Sequence, residues 1–371
     1  MATMAAPPAA SRRLRALSSQ LRQPSTVATR PTAAAPATED ERASTLLPRG
    51  RQLDWRTQGL IDAGLSLEDV RAAFERDGYC IVKNVVGEDE RLNVQYELAE
   101  LVEREAERIG RAGAFADAPF ETRLLQLFAD RLEDAPEIFR ENTHLPGFYC
   151  LFYHPAIIDL VSFLLHCDEL RIYPNYGCRP KLPAKHRDEV LWHSDAGYTY
   201  FGPAADPDKP DSRDEGELTI ENVERMAQTM INVWTPLVPV APYNGCMQFS
   251  RGSHKLGLVK HEYRRDLGQD TREGHWLHID EDVLQSHCSP EGDRVVDIAM
   301  NPGDIVLFHQ HMLHSSQHPN QSDQVRWALD FRYQDAREST LRVTQGHLVR
   351  SALHPERVIR NAEQWAESTF S

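Results

Sequence analysis

From residue 169 onward, the β-rich runs of this sequence are joined by turns and loops, not by helices. Runs at 169–176, 229–238, 246–249, 305–313 and 326–333 combine β-branched and aromatic residues, and a Pro-Gly-Asp turn at 302–304 leads into one of them. Parallel strands need a long crossover between them, usually a helix. The regular strand–helix alternation of a parallel α/β sheet is missing here. Helical periodicity lies mostly ahead of these runs, at 67–78 with Ser66 as N-cap, at 88–110 with a stripe of Leu92, Tyr96, Leu98, Leu101 and Val102, and at 155–167. A strand at 79–86 separates the first two, and a last helix is expected at 355–368. The expected fold is mostly β with flanking helices: a β-sandwich or jelly-roll core buttressed by N-terminal helices.

The 371 residues could bury one large core or two modest ones. Acidic residues outnumber Lys and Arg by 56 to 41, which argues against a nucleic-acid partner because phosphate binding wants a basic face. No run approaches the roughly 18 apolar residues of a membrane span. The cysteines Cys80, Cys150, Cys167, Cys178, Cys246 and Cys288 are scattered without a C-x-x-C pair, which suits reduced thiols in an intracellular enzyme.

Residues 1–38 contain no Asp or Glu and carry Arg12, Arg13, Arg15, Arg22 and Arg30 among Ala, Ser, Thr and Pro. That is the composition of an organelle transit peptide and points to mitochondria; the other reading is a disordered tail on a cytoplasmic protein. An irregular lead-in at 39–66, one domain at 67–335 and a helical extension at 336–371 complete the expected organisation. Residues 203–217, rich in Pro and Asp, read as a long loop, either a lid over the site or a solvated insertion.

The candidate chemistry starts at Leu191-Trp-His-Ser-Asp195. On an extended strand, residues i and i+2 share a face, so His193 and Asp195 can reach one metal ion from one side of a sheet. By itself His-x-Asp is common in solvated turns. With a distant histidine it makes a 2-His-1-carboxylate facial triad, which leaves neighbouring positions on Fe(II) open. The third ligand is one of His309, His311 and His314, or a more remote histidine; spacing alone does not separate them. Arg326 on the following strand favours His314, because an Arg returning toward the metal offers a bidentate clamp for the carboxylate of a 2-oxoacid. Arg179 and Lys181, shortly before the metal strand, are placed to meet substrate or cosubstrate. Lys255, Lys260, Arg264 and Arg265 form a basic cluster that is either a solvated face or a landing site for an anionic substrate such as an acyl-CoA. His254, after Gly252-Ser253, is expected to fix a turn.

These stretches resemble the phytanoyl-CoA dioxygenase family of non-haem Fe(II), 2-oxoglutarate-dependent oxygenases. Trp192-His193-Ser194-Asp195, Asn232-Val-Trp234-Thr-Pro-Leu237, Asn244-Gly245 through Gly252-Ser253-His254, Gly303-Asp304 through Phe308-His309, His314-Ser-Ser316, and Asn320 through Arg326 to Gln334 occur in the family's order. The resemblance runs from about residue 67 to 335. It implies a double-stranded β-helix (jelly-roll, cupin-like) core. It further implies Fe(II) held by His193, Asp195 and His314, with 2-oxoglutarate and O2 as cosubstrates. Arg326 would hold the distal carboxylate of 2-oxoglutarate and Trp234 would line its site. One departure stands out: the spacing from His314 to Arg326 is one residue longer than usual for the family, with the extra residue in Gln317-His318-Pro319. Arg332 is the alternative clamp.

The reaction so implied couples decarboxylation of 2-oxoglutarate, giving succinate and CO2, to oxidation of a small organic substrate, by default hydroxylation. Asp195 argues against halogenation, since related halogenases lack the carboxylate ligand. The alternatives are a cupin-like protein that binds metal without oxygenase activity, and a metal-dependent isomerase or hydrolase, which has no need of Arg326.

Overall fold

The computed structural model describes residues 67–369 apart from 141, 184–189, 203–212, 264–276 and 291. The targeting segment 1–38, the lead-in 39–66, the Ser66 cap, most of the 203–217 loop, Arg264 and Arg265 lie outside the described residues.

The strands are β1 (Tyr79–Val82), β2 (Leu170–Ile172), β3 (Gly177–Lys181), β4 (Val190–His193), β5 (Met230–Pro236), β6 (Met247–Ser250), β7 (His261–Tyr263), β8 (Leu277–Ile279), β9 (Val295–Ile298), β10 (Ile305–His309), β11 (His314–Ser316), β12 (Arg326–Asp335) and β13 (His347–Arg350). The helices are α1 (Leu67–Asp77), α2 (Glu88–Arg108), α3 (Phe120–Leu127), α4 (Pro146–Phe152), α5 (Pro155–Leu165), α6 (Asp195–Phe201), α7 (Ile220–Gln228), α8 (Glu281–His287) and α9 (Ala362–Glu367).

All the strand pairings are antiparallel. A major sheet runs β1-β10-β5-β12-β2-β13, with β3 also paired to β12, and a smaller sheet runs β4-β11-β6-β9. Alternation along each strand decides what each face meets. In the major sheet Cys80, Val82, Val233, Leu307, Leu329 and Phe331 join the apolar core built with α2 to α5. Their neighbours Tyr79, Ile81, Trp234, Val306, Phe308 and Ala328 pack instead with Phe249, Met247 and Ile298 of the smaller sheet. The major sheet is therefore a shared wall, with helices on one face and the second sheet on the other. Trp327 is fully buried on the helix face, stacked on Phe120 at 5.0 Å between ring centroids.

Several elements differ from the sequence expectation. The run at 305–313 is a strand only as far as His309; the chain then turns, Met312 N donating to His309 O at 2.9 Å, and the next strand begins at His314. Pro146–Leu165 is, by length and composition alone, apolar enough to cross a membrane, contrary to the reading that no run approaches this. Here it forms two helices, each begun by a proline, whose Phe148, Leu151, Phe152, Ile157, Leu160 and Val161 are buried in the core. The tail expected to be one helix from 355 to 368 is a 3-10 turn at Pro355–Arg357 followed by α9. Ahead of it β13 adds a strand to the edge of β2, and Trp365 of α9 is fully buried, its Nε1 donating to Thr143 O at 3.0 Å.

Candidate metal and cosubstrate site

β4 and β11 are neighbours in the smaller sheet, and their register puts His193 directly opposite His314. Cross-strand partners project from the same face, and the two imidazoles lie 4.1 Å apart between ring centroids. Each is oriented through Nδ1, which meets a backbone carbonyl two residues back: Leu191 O at 2.7 Å for His193 and Met312 O at 3.0 Å for His314. With the ring proton on Nδ1, each Nε2 keeps its lone pair free to bind a metal.

Asp195 arrives by a different route from the strand expected of it. The strand ends at His193, Ser194 stays extended, and Asp195 is the first residue of α6. Ser194 is the N-cap, its Oγ accepting from Gly197 N at 3.1 Å. Because Ser194 is still extended, the two-residue alternation survives and Asp195 turns back to the imidazoles. Its Oδ1 lies 3.9 Å from His193 Nε2. The donor atoms of His193, Asp195 and His314 all fall within 4.8 Å of one another.

Burial pushes both imidazoles toward the neutral form, His193 well below its ordinary value. Burial also works against the Asp195 charge, but Arg332, His314 and His193 outweigh it and hold the carboxyl well below the usual range. Two neutral imidazoles and one carboxylate, poorly hydrated and close together, fit a divalent cation such as Fe(II).

Arg332 supplies the second layer. Its Nη2 and Nε donate to Asp195 Oδ2 at 3.0 and 3.3 Å, leaving Oδ1 on the side of the imidazoles. Its Nη1 donates to Asp330 Oδ2 at 3.1 Å, and Asp330 Oδ1 accepts from Arg179 Nε at 2.8 Å. Arg332 is thus committed to two carboxylates, Asp195 and Asp330. Arg179 is paired with Asp330.

His261, which carries no spacing signal in the sequence, also braces the site. Its Nδ1 meets Val259 O at 2.7 Å and its Nε2 accepts from Ser194 N at 2.9 Å, so it fixes the residue between the two β4–α6 donors. Gly197 is pressed against this ring: a Cβ there would come within 1.9 Å of His261 Cε1. From the other side Gln310 O accepts from Ala196 N at 3.1 Å.

His309 and His311 do not join the donor group. Their rings pack on each other at 5.2 Å, with His254 against His309 at 5.5 Å. His254 fixes the turn at Ser253–Leu256 through Glu75 O at 3.1 Å. Among the basic cluster, Lys255 donates to Arg76 O and Lys260 pairs with Glu262.

Lys181, Arg326 and Trp234 do come together. Lys181 sits opposite Arg326 in the β3–β12 pairing, and Arg326 Cζ lies 5.7 Å from the Trp234 ring centroid. Lys181 Nζ donates to Ser316 O at 2.6 Å and Oγ at 3.1 Å, and Arg326 Nη2 reaches the same hydroxyl at 3.4 Å. Ser316 is two residues past His314 on β11, about 7 Å along the strand. Two buried cations thus converge one strand-step from a metal-type donor. β12 links the two regions, because Arg326, Ala328, Asp330 and Arg332 alternate on one face.

Residues 74–328 match the family model described as phytanoyl-CoA dioxygenase (PhyH). The chain is 23% identical over 256 residues to the peroxisomal phytanoyl-CoA dioxygenase of Mus musculus, covering 68% of this chain and 63% of that protein. It is 24% identical over 301 residues to a probable phytanoyl-CoA dioxygenase of Caenorhabditis elegans, covering 76% and 78%. Among solved structures it is similar to the non-heme monooxygenase ThoJ, at 21% identity and a TM-score of 0.49, covering 80% of this chain and 88% of that one. With the family model matched over this span, the chain belongs to the phytanoyl-CoA dioxygenase family, whose enzymes depend on Fe(II), 2-oxoglutarate and O2.

Proposed function

We propose that this chain is an Fe(II)- and 2-oxoglutarate-dependent dioxygenase that hydroxylates a small organic substrate, with release of succinate and CO2, on a double-stranded β-helix core. The observation that carries the reading is the convergence of His193, Asp195 and His314 within 4.8 Å, with both imidazole Nδ1 atoms engaged by backbone carbonyls. His193 Nε2, His314 Nε2 and Asp195 Oδ1 would hold the iron. When bound, iron with 2-oxoglutarate and O2 supplies an oxidant able to remove hydrogen from carbon.

The chain's own residues set the conditions. Arg326 and Lys181 bind the distal carboxylate of 2-oxoglutarate, and Ser316 hydrogen-bonds with them. Trp234 closes the wall beside Arg326 and keeps water from that end. Arg332 orients Asp195 and balances its charge, so the site tolerates a carboxylate in a buried place. A metal-dependent hydrolase or isomerase has no use for two buried cations beside the last histidine. Acting within the cell on a small molecule agrees with the family; the substrate itself is left to screening.

The test is release of succinate from 2-oxoglutarate by the iron-loaded protein. Iron- and O2-dependent succinate is expected from the parent and should be lost in His314→Ala. A folded, iron-loaded parent that leaves 2-oxoglutarate intact, alone and with a panel of acyl-CoAs and other small acids, contradicts the proposal.

A further inference from the structure

A second group of donor atoms converges where β6, β9 and the loop after β11 meet. The Cys246 thiol, the Asp297 carboxylate and the His318 imidazole present sulfur, oxygen and nitrogen atoms that all lie within 4.8 Å of one another. Cys246 is fully buried just ahead of β6, while the His318 and Asp297 side chains keep 30% and 28% of their surface. A small ion therefore has an approach past those two.

The pairing of β6 with β9 sets Gln248 opposite Asp297. Gln248 Nε2 donates to Asp297 Oδ1 at 3.0 Å, and His318 Nε2 meets the same oxygen at 2.7 Å. His318 lies in Gln317-His318-Pro319, the stretch that lengthens the spacing from His314 to Arg326. Nothing in the oxygenase reading uses Cys246, Asp297 or His318.

We propose that Cys246, Asp297 and His318 form a second divalent-cation site, separate from the His193, Asp195 and His314 site, suited to Zn(II) or a cation of similar softness. The donor set argues for the class of ion. Thiolate, imidazole and carboxylate together favour a borderline cation over Mg(II) or Ca(II), which take oxygen ligands. Three protein ligands leave a fourth, tetrahedral position to water. Bond lengths of about 2.3 Å to sulfur and about 2.1 Å to nitrogen or oxygen place tetrahedral donors about 3.4 Å or more apart. His318 must back away from Asp297 by about 0.7 Å, from 2.7 Å to about 3.4 Å, which a partly exposed loop side chain can do.

Binding releases the thiol proton to solvent and moves the His318 ring proton from Nε2 to Nδ1. Affinity therefore rises with pH. Burial pushes the free Cys246 thiol far up, with Asp297 adding to that and Arg326 and Lys181 opposing it, so the metal-free group is a neutral thiol and its ionisation is a cost that binding must offset. The loop is also tied to β3 through Asn320 Nδ2, which donates to Lys181 O at 2.8 Å. A cation bridging His318 to β6 and β9 would pin the lengthened loop at its other end.

The site is tested by titrating the metal-depleted full chain with Co(II) and following near-ultraviolet thiolate-to-Co(II) charge-transfer absorption, which ligation by histidine and aspartate alone does not produce. The parent is expected to take up a second equivalent with this band. Cys246→Ser should abolish the band, and His318→Ala should weaken the second equivalent by more than about a hundredfold, since even residues that merely support a ligand cost 10- to 100-fold. The band should persist in Cys150→Ser, which removes the exposed thiol, and in the His193→Ala/His314→Ala double variant. That last variant separates the two sites, because failure of the oxygenase site leaves the band untouched. A parent with no band, or a band that survives in folded His318→Ala at unchanged affinity, overturns the second site. His318 is half-exposed, so its variant keeps the test decisive even if Cys246→Ser does not fold.

Discussion

Arg332 and Asp195, separated by 137 residues in sequence, make a forked contact in which Nη2 and Nε both donate to Oδ2, while Oδ1 lies on the side of the imidazoles, 3.9 Å from His193 Nε2. The pair decides which oxygen of Asp195 is available and in what direction. Arg332→Met should weaken binding of Fe(II) or Co(II) by about 10- to 100-fold. It should also cost about 3–5 kcal/mol of stability, because Asp195 and Asp330 are left buried beside a lost cation. Metal titration and thermal unfolding check both effects, and Arg332→Lys should recover part of the stability but less of the metal affinity, since a lysine lacks the fork.

His261 acts on the same centre from the other side. His261→Ala removes the acceptor for Ser194 N, at a cost of about 1–3 kcal/mol, and should weaken metal binding about tenfold. Gly197→Ala should reproduce the metal defect without deleting a polar group, because its Cβ would sit inside the His261 ring and displace it. Normal metal affinity in Gly197→Ala would show that the ring does not position Ser194.

Some of this was legible in the sequence and some was not, for identifiable reasons. His193 is singled out by His-x-Asp and His314 by the downstream Arg and family order, and the register that faces them across β4 and β11 explains why those two imidazoles pair and His309 does not. Asp195 keeps its expected direction on an unexpected element, because Ser194 caps a helix while staying extended. The alternation in Arg326-Trp-Ala-Leu-Asp-Phe-Arg-Tyr333 carries a further signal: every charged residue falls on one face. Both faces of β12 are buried, so alternation alone does not say that Asp330 and Arg332 meet Asp195. His261 is the hardest to read, since it lies 67 residues from Ser194 on a short strand paired with β8. No local pattern marks it. The proline at 155 is a visible helix start, but α4, α6, α7 and α8 are short helices whose periodicity barely exceeds two turns.

At the cosubstrate end, Arg326→Met should raise KM for 2-oxoglutarate by at least about thirtyfold, the lower end for losing one partner of a buried charged contact. Lys181→Met should act in the same direction and Arg326→Lys should be intermediate. The KM for substrate should change far less. Steady-state kinetics varying each in turn separates a carboxylate clamp from a general loss of fold.

A pH effect on stability is expected away from the site. The Glu97 carboxylate accepts from Gly147 N at 2.7 Å and Phe148 N at 3.2 Å at the start of α4, and burial raises its pKa to about 7 despite those bonds. A raised folded value means that the unfolded chain gives up this proton first, so the folded state loses stability as pH rises from about 4.5 to about 7, by at most about 3 kcal/mol. Glu97→Gln has no such proton. Measured by urea unfolding at pH 5 and pH 8, the variant should gain on the parent by about 1–3 kcal/mol at the higher pH; a constant difference would contradict the assignment.

The central claim is that His193, Asp195 and His314 present one iron to 2-oxoglutarate held by Arg326. Anaerobic titration of the metal-free protein with Fe(II) and then 2-oxoglutarate tests it most directly, through the visible metal-to-ligand charge-transfer band of a chelated 2-oxoacid. The band should appear in the parent, vanish in His314→Ala, and require much more 2-oxoglutarate in Arg326→Met. A folded parent that binds Fe(II) but shows no band at saturating 2-oxoglutarate would contradict the account.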